Sequence, residues 1–369
     1  MSQKQTIQHP LYGISPSRWI QLVSTNKGVD PAYLGRGAFI TVSSLLFTPA
    51  RLSFNLRYRK KILNTQITHP PVFIIGHWRS GTTYLHELLS HDPQFCYFSM
   101  WQTLLPDSFL TLDGAKWFFA NFLPDKRPMD NIDVAINGPY EEEAGLAVLS
   151  PWSFFHCLHF PKNAELQYLN AIHQSHLTPA EKEQWNHNYL YFIKAVTYAN
   201  NGKRLLSKNP PNTARISTIL EMIPEARFVH IYRNPYKVYL STKKMRMRVL
   251  DKLGLQQGNE EEIERQVIEN YKRLMTSFFD QQDLIPPGNL VDVRYEDLVA
   301  DPLKQVRHIY KTLKIPHLQQ ALPGMKSYLE RKKNYKTNVY EIDKKIIDRV
   351  TKEWEFTIKK WNYSPPKST

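Results

Sequence analysis

Val72-Phe73-Ile74-Ile75-Gly76-His77-Trp78-Arg79-Ser80-Gly81-Thr82-Thr83 is the stretch on which the fold turns. Its first four residues are an unbroken apolar run, rich in β-branched side chains and ended by glycine. That pattern predicts a strand buried on both faces of a parallel sheet. Thr82 to Ser90 (TTYLHELLS) predicts the helix that follows. Between strand and helix lies a turn bracketed by Gly76 and Gly81. Glycine lets backbone N–H groups approach an anion closely, and the start of the helix adds unpaired donors and partial positive charge. Thr82 and Thr83 contribute hydroxyls.

The glycine spacing is that of a P-loop, with one departure. Thr82 and Thr83 stand where a nucleoside triphosphatase carries Lys followed by Ser or Thr. The cation sits upstream instead, at Arg79. Without the lysine that reaches the outer phosphates, hydrolysis of ATP or GTP is disfavoured.

Outward from this stretch, strand, turn and helix recur. Arg204-Leu205-Leu206-Ser207 leads through Lys208-Asn209-Pro210-Pro211 to a helix over 212–222. Arg227 to Tyr232 (RFVHIY) leads through Arg233-Asn234-Pro235 to a helix from Tyr236. Asn289 to Val293 predicts another strand, closed by Arg294-Tyr295-Glu296-Asp297. The alternation predicts an α/β protein: a P-loop-like, three-layer fold with a mainly parallel central sheet flanked by helices. Glu260 to Asp280 predicts a helix with Ile263, Val267, Tyr271, Leu274 and Phe278 on one face. Trp101 to Leu123 and Leu146 to Phe160 read as apolar helices, either core or the walls of an acceptor pocket. Residues 1–70 read as a helical N-terminal extension, and His69-Pro70-Pro71 separates it from a domain over 71–369.

The 369 residues are 42% hydrophobic and 12% aromatic, enough for a sizeable core and unlike a disordered chain. The net charge of +14 points to anionic ligands. No zinc-finger spacing or RNA-binding signature accompanies it, so nucleic acid is not expected. The two cysteines, Cys96 and Cys157, make no disulfide framework and fit a reducing compartment. The first residues carry no apolar signal-peptide core, and a cytoplasmic location is expected. Gly37 to Phe47 is apolar but too short to span a bilayer. The following RLSFNLRYRKKIL mixes apolar and basic residues. It reads either as a solvated helix after a buried one, or as a membrane-peripheral segment on an anionic surface.

Arg-Ser-Gly-Thr-Thr after an apolar strand resembles the 5′-phosphosulfate loop of sulfotransferases that use PAPS, 3′-phosphoadenosine-5′-phosphosulfate. Arg233 after its strand, with Ser241 in the next helix, resembles the pair by which that family holds the 3′-phosphate. Lys208 in SKNPP and Tyr295 in RYEDL resemble residues of the tyrosyl-protein sulfotransferases. The resemblance implies donor contacts from Arg79, Ser80, Gly81, Thr82, Thr83, Arg233, Ser241 and Tyr295. It also implies that PAP is released; no metal is expected, since positioning and electrostatics meet the needs of the transfer and no metal constellation is visible in the sequence. Arg331-Lys332-Lys333-Asn334-Tyr335-Lys336-Thr337-Asn338 falls where the family closes a loop over the nucleotide. The usual glycine is absent, which leaves Lys336 and Asn338 as the contacts implied.

Sulfuryl transfer, like phosphoryl transfer, depends on positioning and on stabilising charge. Arg79 and Lys208 are the candidates for that stabilisation. Cytosolic family members place a histidine base where this chain has Tyr140-Glu141-Glu142-Glu143. Related branches use glutamate. Repulsion within the cluster favours proton uptake by one carboxylate, which is what a base requires. Glu142 is preferred, then Glu141. Acidic residues here also suit a helix start. His77, His86, His156 and His159 are reserve bases. The expected function is transfer of a sulfuryl group from PAPS to a hydroxyl or amine, on a small-molecule or lipid acceptor. The rival readings are an atypical P-loop kinase or NTPase, and a membrane-associated scaffold.

Overall fold

The computed structural model describes residues 9–121, 123, 134–332 and 343–366. Contacts divide the chain into two units. One comprises Met1–Thr68, Tyr97–Lys203 and Arg246–Asn259; the other comprises His69–Cys96, Arg204–Met245 and Glu260–Thr369.

In chain order the elements begin with α1 (Pro16–Thr25), α2 (Leu34–Leu46), α3 (Thr48–Leu63), β1 (Val72–Ile75), α4 (Thr82–Leu89) and β2 (Phe95–Cys96). Next come α5 (Met100–Leu104), α6 (Lys116–Ala120), α7 (Glu142–Leu149), α8 (Phe154–His159), α9 (Ala164–Tyr168) and α10 (Pro179–Ala199). They are followed by β3 (Arg204–Lys208), α11 (Ile216–Met222), β4 (Arg227–Tyr232), α12 (Pro235–Leu253) and α13 (Glu260–Gln281). The chain continues with β5 (Leu290–Arg294), α14 (Tyr295–Ala300), α15 (Pro302–Thr312), α16 (Leu318–Arg331), α17 (Lys344–Glu353) and α18 (Glu355–Lys360).

All five strands belong to the second unit and pair in parallel in the order β2-β3-β1-β4-β5. β1 sits in the middle, and each of its four side chains is buried, as an apolar run in a covered parallel sheet requires. Val72, Ile74, Leu206, Val229 and Ile231 face one way and pack with Leu85 and Leu88 of α4, Val306 and Ile309 of α15, and Met325 of α16. On the opposite face Phe73 stacks with Phe228, and the His230 ring lies 3.9 Å from that of Phe278 on α13. Helices thus cover both faces of the sheet, the three-layer α/β arrangement expected. On α13 the five apolar residues named from periodicity are all buried. β5 is an edge strand whose burial alternates along the chain, the mark of a strand with one face covered.

In the first unit, two expected long helices are broken. Among the described residues of 101–123 the structure has only α5 and α6, with turns and a 3₁₀ segment between. Pro106 and the Asp113-Gly114 pair interrupt the ladder, because proline has no N–H to donate and glycine disfavours helix interiors. Over 146–160 the chain ends α7 at Leu149, passes Pro151 and restarts at Phe154. Much of both stretches is core. Trp101, Leu105 and Phe109 pack with Phe54 and Ile62 of α3; Ala147, Val148 and Phe160 pack with Leu11, Trp19 and Ile40. Where α7 meets α10 the approach is so close that a Cβ on Gly145 would lie 2.4 Å from the Phe192 ring.

Arg51 departs from the sequence reading of a solvated basic cluster. It is buried, its Nε donates to Asp107 Oδ2 at 2.9 Å, and its Nη2 donates to the Gly13 carbonyl. Arg18 also meets Asp107, at 3.4 Å. Arg57, Arg59, Lys60 and Lys61 are exposed. Among the described residues no single helix is long and apolar enough to cross a membrane. The pair Pro31–Leu46 and Thr48–Leu63, bent by 42°, meets the requirement only jointly, on length and composition.

Candidate active site

The turn after β1 has the geometry that its glycines predict. Gly76 adopts φ 133°, and a Cβ there would lie 2.2 Å from the Ile231 carbonyl oxygen of β4. Its N–H donates to Thr213 Oγ1 at 2.7 Å. Gly81 adopts φ 98° and caps α4, with no side chain bonding to the helix start. A Cβ on Gly81 would lie 2.2 Å from the Tyr295 ring. Among the described residues the first N–H groups of α4 therefore meet neither an intrahelical acceptor nor a capping side chain, which is how a helix start receives an anion.

Arg79 itself has φ 70°, a left-handed conformation that costs a non-glycine residue about 1–2 kcal/mol. Contacts at both of its ends hold it there. Its Nε donates to Ser241 Oγ at 2.8 Å, and its carbonyl accepts from Arg233 Nη1 at 3.2 Å. The Arg233 guanidinium lies 4.1 Å from the centre of the Tyr295 ring, a cation–π contact that fixes its plane. Four sequence-predicted residues, Arg79, Arg233, Ser241 and Tyr295, thus form one linked group around Gly81. They converge because β1 and β4 are neighbours, and the segments leaving both strands emerge at the same sheet edge. In open α/β sheets the carboxyl ends of strands where the connection reverses are where ligands bind. Asn234, beside Arg233, accepts from the N–H groups of Tyr236 and Lys237 and starts α12.

Lys208 closes β3 in register with Ile74 and is buried. It faces His86 on α4. Burial first, and the Lys208 charge second, push His86 down to about 3, so it is neutral near pH 7. Ser80 and Thr82 are buried in the turn, and Thr83 is half-buried. His77 is buried against Trp78 and Tyr271, with Nδ1 2.8 Å from the Trp78 carbonyl oxygen.

The glutamates lie in the first unit. Glu141 is the N-cap residue of α7, and Glu142 and Glu143 occupy its first turn, both fully buried. Glu143 Oε1 accepts from the Phe154 N–H at 2.7 Å and from Ser153 Oγ at 3.0 Å, so it secures the start of α8. Glu142 Oε1 accepts from the Tyr189 hydroxyl at 2.8 Å. His156 and His159 lie with His9 in a buried group, with ring centres 4.7 Å apart for His9 and His159 and 5.8 Å for His156 and His159. Burial holds His9 and His156 at about 4 and His159 well below its ordinary value.

Lys336 and Asn338 lie outside the described residues. Among the described residues no group of three or more His, Cys, Asp or Glu is placed to hold a metal ion. Sequence reasoning missed Thr213. It belongs to Ser207–Arg215, a run that begins at the end of β3 and in which Ser207, Lys208, Asn209, Asn212, Thr213 and Arg215 are all essentially buried. So many polar side chains directly after an apolar strand are a signal that could have been read, because buried polar groups need partners.

This arrangement can receive an anionic group at the turn and a second one beside Arg233. A model described as the sulfotransferase family matches residues 70–320. Two proteins named omega-hydroxy-beta-dihydromenaquinone-9 sulfotransferase Stf3, from Mycobacterium bovis and Mycobacterium tuberculosis, are each 32% identical over 96% of this chain and 91% of their own length. Two crystal structures share the fold. Sulfotransferase STF1 of Mycobacterium tuberculosis has a TM-score of 0.67 at 17% identity, over 91% of this chain and 90% of its own. Sulfotransferase STF9 of Mycobacterium avium has a TM-score of 0.68 at 14% identity, over 96% of this chain and 98% of its own. With a family model spanning most of its residues and relatives matching nearly its whole length, the chain belongs to the sulfotransferase family.

Proposed function

We propose that this enzyme transfers the sulfuryl group of PAPS to a hydroxyl on a lipid-like acceptor. The observation that carries the donor half is the linked group Arg79–Ser241–Arg233–Tyr295 around two glycines that cannot bear a side chain. The residues fit such a nucleotide. The turn and the start of α4 suit the phosphosulfate end, and Arg233 with the Ser241 hydroxyl suits the 3′-phosphate. Ser80, Thr82 and Thr83 supply hydroxyls to the same turn. When bound, PAPS supplies an activated sulfuryl group on a phosphate leaving group.

Arg79 and Lys208 are assigned to charge that develops on the departing phosphate oxygen. A cation as deeply buried as Lys208 acts in a low-dielectric setting, where that stabilisation is large. The base is assigned to Glu142. Glu143 is occupied by the start of α8, whereas Glu142 is oriented through the Tyr189 hydroxyl. Glu142 takes the hydroxyl proton as the acceptor oxygen bonds to sulfur, and PAP leaves with the electrons of the broken S–O bond. Glu141 is next in line, and Glu141→Gln and Glu142→Gln separate the two, since only the base variant loses turnover with KM for PAPS unchanged.

The acceptor half rests on the relatives, whose names give a hydroxylated dihydromenaquinone as the compound acted upon. Radiolabelled PAPS offered with a hydroxylated isoprenoid quinone, a long-chain alcohol, a phenol, an oligosaccharide and a tyrosine peptide tests it. Label is expected on the quinone or the alcohol. Label on the peptide or saccharide alone overturns the lipid acceptor, and no transfer from PAPS to any acceptor overturns the donor.

A further inference from the structure

Helices α2 and α3 bury Ile40, Phe54 and Ile62 in the core and also carry a second set of apolar residues that faces outward. On α2, Ser43 and Ser44 are buried, and their hydroxyls turn back to the carbonyls of Ile40 and Thr41. Leu34, Val42, Leu45 and Leu46 are exposed, Leu46 at 73%. On α3, Leu52, Leu56 and Leu63 are exposed, Leu56 at 88%. By helical periodicity residues 34, 42, 45 and 46 fall within about 120° of arc on α2, and 52, 56 and 63 within about 40° on α3, so each helix carries an outward apolar stripe. α6 extends the surface. Its Phe119 ring lies 6.0 Å from Phe47, the residue joining α2 to α3, while neighbouring Trp117 and Phe118 are exposed at 65% and 63%. Scattered exposed leucines need no explanation, but a contiguous patch of this kind marks an interaction surface.

Charge decides what covers it. No Asp or Glu occurs between residues 31 and 86. By helical periodicity Arg59 and Lys60 share the outward face of α3 with Leu52, Leu56 and Leu63, and both are exposed. Trp, Leu and basic side chains on one face are the composition of a segment lying in the headgroup region of an anionic bilayer. A second copy of this chain would bring the same cations face to face across a two-fold axis, which disfavours self-association.

We infer that α2, α3 and α6 form a monotopic docking surface for an anionic membrane, with the helices in the plane of the interface. The inference stands on the exposed residues and their charge, independently of the acceptor proposed above. The test is sedimentation of the full chain with vesicles of phosphatidylglycerol and phosphatidylcholine in a 1:1 ratio, and of phosphatidylcholine alone, without nucleotide or acceptor. Binding to the mixed vesicles is expected, weakening as salt is raised. Leu45→Gln/Leu46→Gln/Leu56→Gln is expected to reduce it at least tenfold. Arg59→Gln/Lys60→Gln is expected to reduce it about 30-fold, near fivefold per basic residue. All substitutions are at exposed positions, and unchanged circular-dichroism melting confirms the fold. Binding that neither variant weakens overturns the inference, as does its absence from the mixed vesicles. A vesicle-independent dimer that the leucine variant dissolves also overturns it, assigning the surface to a second copy.

Discussion

Arg79 carries a left-handed backbone that glycine would adopt freely, and it is kept there by Ser241 and Arg233. Such strain at the position assigned above to charge stabilisation predicts that activity and stability separate on substitution. Arg79→Gly relieves the backbone cost of about 1–2 kcal/mol while losing a side-chain hydrogen bond of similar size. Its melting temperature is therefore expected to stay within about 3 °C of the parent, while sulfate transfer falls on the order of 100-fold or more. Equal loss of both would show a structural role. Gly81→Ala behaves differently, since its Cβ meets the Tyr295 ring. Gly81→Ala should cost at least about 2 kcal/mol, and adding Tyr295→Ala should restore the steric part but not the cost of positive φ, measured by a double-mutant cycle in urea. Arg79, Arg233, Ser241 and Tyr295 could be named from sequence because their chemistry and order are distinctive, and the structure gathers them. The partner of Thr213 was not legible, because it is a backbone N–H that approaches only once β1 and β3 are paired. Nor was the duty of Glu143 toward α8, which depends on where Pro151 turns the chain.

At the level of elements, strands and amphipathic helices were the readable part. The period of α13 and the runs of β1 and β4 follow from burial on a repeating face. β2 was not seen, since two residues give no period. Over 101–123 and 146–160 apolar content alone predicts single helices, and Pro106 and Pro151 are what break them. Those breaks are stabilised from outside by specific side chains, and their removal should be costly. Glu143→Ala leaves the Phe154 N–H and Ser153 hydroxyl without this acceptor, for an expected loss of about 1–3 kcal/mol. Asp107→Ala strands the Arg51 guanidinium in a buried site, at an expected cost of about 3–5 kcal/mol in the same denaturant titration. A loss under 1 kcal/mol for Asp107→Ala would mean that Arg51 finds another partner.

For the molecule as a whole, buried histidines set the response to acid. His9 and His156 are held at about 4 by burial, His159 is also lowered by burial, and His86 lies at about 3. Each ionises near 6.5 once unfolded, so between 6.5 and 4 the unfolded chain binds more protons. Stability is full above 6.5 and is lost as pH falls through this window, by on the order of 3 kcal/mol for each of His9 and His156 at pH 4. Melting temperature measured from pH 7.5 to 4.5 should fall steadily below 6.5; a flat profile would contradict the burial of these rings. The α/β class was legible at this scale because it depends on local alternation. The division of the chain into units was not, because it depends on contacts between distant segments. The chain passes from one unit to the other five times, after Thr68, Cys96, Lys203, Met245 and Asn259. This has a consequence for synthesis. Leu255 packs with Leu11, Trp19 and Ile40, and its N–H donates to the His159 carbonyl, so the core begun by the first helices is finished only after residue 255 has left the ribosome. By then three central strands have been made, but β5 has not. A nascent chain stalled between the first strands and that point holds two unfinished cores at once, and its dependence on chaperones should peak there rather than at either end.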